Sequence, residues 1–224
     1  MRNWGPAKLA KIKSVTLDHL TLGKDGQYCG AEYTIIMDKD GTDKQLNVVA
    51  VIELGDNGAQ KTRLYYRRAR VDGTQHVRNR ILDDTLGLEP YQPALAAYQA
   101  ALTAGDANAQ AETFSPDGRL DGHGEHTDMT LGLGMGIYEG RETIRAALIQ
   151  MFGIIDHEAG GSEAGQHGAN LEKMNGFTDG TTYVLEFNII DPNHPTNRVH
   201  AGVACYEIGE DGLIKEARVF DEAW

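Results

Sequence analysis

Two stretches of this chain alternate apolar and polar residues in the same order. Residues 11–20, Tyr28–Asp38, Gln45–Leu54 and Lys61–Val71 each read as a strand, rich in β-branched and aromatic side chains. Gly23-Lys24-Asp25-Gly26, Lys39-Asp40-Gly41 and Gly55-Asp56-Asn57-Gly58 separate them, and tight turns of this kind join antiparallel neighbours. The last four strands, ending in Lys215–Phe220, mirror these four. Between the two sets the period changes. Leu95, Tyr98 and Leu102 recur on one face of a helix over Pro90–Leu102, which Gly105 ends. Asp106 caps a short second helix holding Ala109 and running to Phe114. Ser115-Pro116-Asp117-Gly118 is a turn, Arg119–Asp121 starts a strand, and Ile137-Tyr138 resumes one after a Gly-rich stretch. Gly140-Arg141-Glu142 leads into a third helix with Ile144, Leu148 and Met151 on one side, and Asp156–Gly168 is a loop.

The mirrored strands reflect a repeat. Shifting the chain by 154 residues lays 17–61 on 171–215 without a gap, with thirteen identities, among them Leu17/Leu171, Glu32/Glu186, Val49/Val203, Glu53/Glu207 and Lys61/Lys215. A period this long marks a duplicated domain rather than a solenoid. The helical segment 86–155 precedes only the second copy, so the expected organisation is a partial copy of four strands over 1–72, a linker over 73–87 and a complete domain over 88–224. A helix-free sheet exposes an apolar face, to be covered by the second copy, by another chain or by residues lost from the start of the reading frame, and a homo-oligomer, dimer or higher, is expected.

Composition narrows the function classes. The hydrophobic share, 41%, supports a packed core. A net charge of −12 argues against nucleic acid as partner, since phosphate contacts need clustered cations. The basic run from Arg63 to Arg70 reads as a solvated or interface strand. Cys29 and Cys205 occupy non-equivalent positions and read as buried free thiols, which fits a cytoplasmic location. No apolar run reaches membrane-spanning length, and no secretory leader pattern opens the chain, so no membrane partner is expected.

Four stretches of the second half carry a family resemblance: Tyr98 to Asp106 with its helix-ending Gly-Asp, Thr113 to Gly118, Tyr138 to Ile144, and Tyr206 to Ile214. In their order and spacing, residues 88–224 resemble the nuclear transport factor 2-like superfamily, which includes the SnoaL-like polyketide cyclases and ketosteroid isomerases. The resemblance implies an α+β fold, a cone-shaped curved antiparallel sheet covered by three helices, here preceded by the helix-less four-strand partial copy. It also implies a small apolar molecule as ligand, no cofactor, and lyase, isomerase or cyclase chemistry without one. A non-catalytic ligand-binding or oligomerisation protein of the same fold is the alternative. Carried across residue by residue, Tyr98 matches the oxyanion-hole tyrosine of the isomerases. Asp121 stands at the level of their general base, one residue out of register, and a one-residue slip on a strand reverses the face. Ala204 stands where they have their oxyanion aspartate, which removes that donor.

The remaining candidates are histidines. His123 and His126 lie in Asp121-Gly122-His123-Gly124-Glu125-His126, where paired imidazoles beside carboxylates can move protons; the plain alternative is a polar surface loop. Without a third ligand at a known spacing, this His-x-x-His does not make a metal site. His200 shares strand parity with Ala204 and can serve as base or as donor to a carbonyl. Tyr98, Asp121, His123, His126 and His200 therefore form the expected catalytic set. Glu32/Glu186 and Glu53/Glu207, present in both copies and out of phase with Tyr183, Leu185 and Phe187, read as structural. Gly132 to Gly136 lacks the Lys-Ser/Thr of a phosphate loop.

Overall fold

A computed structural model describes residues 11–56, 58–66, 81–122, 136–158, 171–190 and 199–221; the side chains of 154–158, 190, 199, 200 and 221 are excepted. Four strands form a first sheet: β1 (Lys11–Leu22), β2 (Tyr28–Lys39), β3 (Thr42–Gly55) and β4 (Gly58–Tyr66), in the order β1-β2-β3-β4, all antiparallel. Asp40 at φ 55° and Gly41 at φ 79° make the β2–β3 turn, a left-handed pair that Asp-Gly adopts readily.

The second unit runs β5 (Gly87–Leu88), α1 (Pro93–Ala104), α2 (Ala107–Glu112), β6 (Phe114–Asp121), β7 (Ile137–Glu139), α3 (Arg141–Glu158), β8 (Leu171–Thr178), β9 (Thr182–Ile190), β10 (Val199–Ile208) and β11 (Ile214–Asp221). Its seven strands lie in the order β5-β8-β9-β10-β11-β6-β7. Two pairings, β5 with β8 and β6 with β11, are parallel, so the sheet is mixed rather than wholly antiparallel. The α+β layout, three helices on one sheet and a preceding helix-less one, matches the sequence expectation.

Helix ends follow local chemistry. Pro begins α1, where its missing N–H costs nothing. Gly105 closes it at φ 72°, and the Asp106 carboxylate accepts the Ala109 amide at 2.9 Å to open α2. Several boundaries differ from the sequence reading: α1 begins at Pro93 rather than Pro90, and Phe114, read in the second helix, opens β6. Helix α3 runs on to Glu158, past the expected start of a loop. The expected linker, 73–87, ends inside β5, which is Gly87–Leu88. The expected turn at Ser115–Gly118 interrupts β6 without ending it: Phe114 opposes Ile214 and Arg119 opposes Glu216, so the intervening residues bulge out.

The two strand quartets superimpose in register with small offsets that a gapless repeat hides. On the middle strands the spacing of 154 holds: Glu32 opposes Val49, and Glu186 opposes Val203. On the fourth strand the match moves one residue. Arg63 opposes Val51 while Arg218 opposes Cys205, making Arg63 and Arg218 equivalent. On the first strand it moves two, because Leu17 opposes Tyr33 and Lys173 opposes Phe187. The identities Leu17/Leu171 and Lys61/Lys215 are therefore not structural equivalences. The bulge in β1 between Leu17 and His19 recurs in β8 between Lys173 and Asn175, at the equivalent place.

Among the described residues, three apolar clusters are buried. The largest lies between the helices and the inner face of the seven-stranded sheet, with Leu95, Tyr98, Phe114, Leu148, Phe152, Leu185, Phe187 and Tyr206 buried. The second lies between the two sheets: Val49, Val51 and Tyr65 meet Phe177, Val184, Ala201, Val203, Cys205 and Phe220. The first sheet thus covers the outer face of the second. A smaller third cluster, Met37, Leu46 and Val48, sits on the opposite face of the first sheet. There the β1 row of Ile12, Val15, Leu17, Leu20 and Leu22 stays about half exposed, Leu17 at 49%. Cys29 and Cys205 are buried free thiols, and burial raises the pKa of each. No helix among the described residues is long and apolar enough to cross a membrane.

Candidate functional site

Strand alternation aims Tyr183, Leu185 and Phe187 of β9 and Tyr206 of β10 at the helices. Tyr183 and Tyr206 are direct cross-strand partners. Tyr98 of α1 meets the Tyr206 ring edge-on at 5.3 Å and the Phe114 ring at 5.8 Å. Tyr91, in the segment between β5 and α1, meets Tyr183 edge-on at 5.0 Å. Four tyrosines therefore line one end of the interior, with edge-to-face contacts that aromatic quadrupoles favour.

Their hydroxyls differ. Tyr183 donates to the Glu89 backbone carbonyl at 2.6 Å, and Gln99 Nε2 donates to the Tyr206 hydroxyl at 3.3 Å. The Tyr91 hydroxyl is buried and has no hydrogen-bond partner among the described residues. Burial pushes the Tyr91 phenol up to about 12. Burial raises Tyr183 and Tyr206 as well, with the neighbouring phenols adding to it. Each stays a neutral O–H donor across the ordinary pH range.

One cation joins them. Lys173 lies on β8 opposite Phe187, on the inner face, just before the bulge. Its ammonium stands over the Tyr91 ring, 5.1 Å from the centroid. Burial lowers its pKa below the ordinary lysine value. The interior thus brings a desolvated amine beside a phenol whose O–H points at no other described polar atom. Such a pair can hold an oxygen acceptor and can also exchange a proton.

The residues expected from sequence are placed as follows. Tyr98 is buried, 3% exposed, and faces the interior. Asp121 does not. Leu120 packs in the interior cluster, so its neighbour Asp121 turns to the opposite face, where its carboxylate accepts Arg119 Nη2 at 2.8 Å and its backbone opposes Arg218. Asp121 thus lies on the face that its one-residue slip from the isomerase register implies. His200 lies on β10 opposite Ile189, and its side chain is outside the described residues, as are His123 and His126. Ala204 is fully buried in the interior. Tyr91 and Lys173 were not singled out from sequence: Tyr91 falls at the edge of a predicted helix, and Lys173 in a strand read only as a mirror of the first.

The outer face carries a second polar assembly. Arg218 of β11 donates to both oxygens of Glu32 on β2, at 2.7 and 2.9 Å. Arg63 of β4 donates to both oxygens of Glu186 on β9, at 2.6 and 2.8 Å. Glu186 also accepts from the Tyr65 hydroxyl at 2.6 Å and from Asn175 Nδ2 at 2.8 Å. Within its own sheet Arg63 pairs with Glu53, and Arg218 stands 3.7 Å from the equivalent Glu207. Burial opposes both guanidinium charges, but the carboxylates overcome it and raise both pKa values.

No family model and no curated protein matches the chain. Solved structures do resemble it. The orange carotenoid protein OCP1 of Fremyella diplosiphon matches at 12% identity and a TM-score of 0.41, over 65% of this chain and 40% of that one, so this chain spans less than half of that protein. An NTF2-like protein of unknown function from Cytophaga hutchinsonii matches at 13% identity and a TM-score of 0.39, over 61% of this chain and 94% of that one. A putative polyketide cyclase from Sinorhizobium meliloti matches at 14% identity and a TM-score of 0.38, over 56% of this chain and 92% of that one. Each likeness covers only part of this chain.

Proposed function

We propose that the second copy holds a small, largely apolar carbonyl compound among its tyrosines and moves a proton beside the carbonyl, the step shared by lyases, isomerases and cyclases that need no cofactor. The observation that carries this reading is the buried Tyr91 hydroxyl, without a described partner, under the desolvated Lys173 ammonium. In its neutral form, which partial burial makes easier to reach than for an ordinary lysine, the Lys173 amine takes the proton from the carbon next to the carbonyl. The C–H electron pair becomes the enolate, and its oxygen accepts a hydrogen bond from the Tyr91 O–H, stronger in a dry site than in water. The proton then returns from the Lys173 ammonium to carbon. Tyr98 and Tyr206 form the apolar wall behind the carbonyl.

The test follows exchange of the methyl protons of 2-acetylnaphthalene in D2O by NMR, using the full chain. Exchange well above the buffer rate, falling about 100-fold in Tyr91→Phe and in Lys173→Met, is expected from the size of general acid–base effects. Binding of the ketone without accelerated exchange overturns the catalytic part and leaves a binding protein of the same fold. Exchange that both variants preserve overturns the assignment of the two residues.

A further inference from the structure

The contacts between the two sheets come in exchanged pairs. Glu32 and Glu186 are equivalent positions, as are Arg63 and Arg218. Glu32 takes Arg218, and Glu186 takes Arg63. Position i of one sheet meets position j of the other, and j meets i, which is the signature of a two-fold, isologous interface. At the axis of such an interface a position meets its own equivalent. Gly30 and Val184 are equivalent, and a Cβ at Gly30 would stand 2.9 Å from Val184 Cγ2. Around them Val49 and its equivalent Val203, Val51 and Cys205, and Tyr65 and Phe220 are all buried in the one cluster.

We propose that this joined face is a two-fold recognition surface whose external partner is a second copy of this chain, taken up by exchange of first sheets. Ile81 packs on the joined cluster, Leu82 is buried and the Leu86 amide donates to the Met174 carbonyl, so the tether is residues 67–80, a length of chain that reaches at most ~50 Å. In the exchanged dimer the first sheet of each chain lies on the second unit of the other. Every contact named above recurs twice, so closed monomer and exchanged dimer bury the same surface per chain. The dissociation constant of the dimer is then set by the effective concentration of a tethered sheet, taken as about 1 mM for a linker of this length. The closed monomer prevails in dilute solution, and crowding of chains shifts the balance by mass action.

The test refolds wild-type chains from urea, natural-abundance and 15N-labelled in equal amounts, at about 0.15 M salt, and counts species by native mass spectrometry and light scattering. The arithmetic predicts about half of the chains in dimers at about 1 mM and about a seventh at about 0.1 mM, with mixed-mass dimers present. Monomer alone at both concentrations overturns the proposal. Mixed-mass dimers that form at once when already folded chains are combined also overturn it, because exchange requires opening. A second arm co-refolds Arg63→Glu chains with Glu186→Arg chains. Each alone sets like charges together when closed, and the pair regains both ion pairs only across chains. At least tenfold more dimer in the mixture than in either variant alone supports the proposal. No increase, while Arg63→Glu/Glu186→Arg in a single chain folds as a monomer, overturns it.

Discussion

The two strand quartets share one plan and differ in what their faces carry. The face that joins them keeps its polar residues in both: Glu32 and Glu186, Arg63 and Arg218, Glu53 and Glu207. The opposite face does not. Where the second copy has Tyr183, Tyr206 and Lys173, the register puts Cys29, Ile52 and Leu17 in the first. The copies therefore agree in what binds them together and disagree in what can act on a ligand. A sheet without helices needs no phenol or amine on its inner face. It still needs the outer face, because burying a guanidinium without its carboxylate is costly.

The comparison breaks first at the ion pairs. Arg218→Met or Glu186→Leu leaves a buried charge alone and should cost about 3–5 kcal/mol in urea unfolding. Arg63→Met with Glu186→Leu should cost less than Glu186→Leu alone, since apolar replacement of a whole buried pair is often tolerated. A double change that costs the sum of the singles would show that the pair is not a unit. Next in size is the axis. Gly30→Leu forces a side chain against Val184 and should cost about 1–3 kcal/mol, as overpacking does. A mild effect would show that the sheets can separate locally.

Smaller effects separate the interior from the interface. Lys173→Met replaces a half-buried amine on the inner face by an apolar side chain of similar length and should leave the urea midpoint unchanged or slightly higher, the sign expected of a residue kept for function. Stability should also fall in alkali. Tyr91, Tyr183 and Tyr206 all have phenol pKa values raised above the unfolded value near 10. Their stabilising contribution is complete below pH ~10 and is lost as pH rises, for Tyr91 through about 12. Tyr91→Phe should flatten that decline in melting temperature, and an unchanged profile would place the phenol in water.

Much of this was legible in the residues. Alternation and Asp-Gly turns located the strands, and Gly105-Asp106 located the break between helices. The outward phase of Glu186 was readable from Tyr183 and Leu185. What escaped depended on bulges and turn lengths. A gapless repeat sets Arg63 against Ala217, so the equivalence with Arg218 that makes the interface two-fold stays hidden until the strands are paired. The β8 bulge does the same to Lys173, whose equivalent is Leu17 rather than His19. The reversed face of Asp121, by contrast, was readable from its one-residue slip, and it follows from Leu120 taking the interior.

The division of labour between the two faces is tested most directly by urea unfolding of Arg218→Met and Lys173→Met side by side, with and without 2-acetylnaphthalene. The account predicts that Arg218→Met loses about 3–5 kcal/mol yet, while folded, exchanges the ketone's methyl protons at the wild-type rate, whereas Lys173→Met keeps its stability and the ketone's stabilising increment and loses about 100-fold of that exchange. Equal losses of stability in both variants, or wild-type exchange in Lys173→Met, would contradict it.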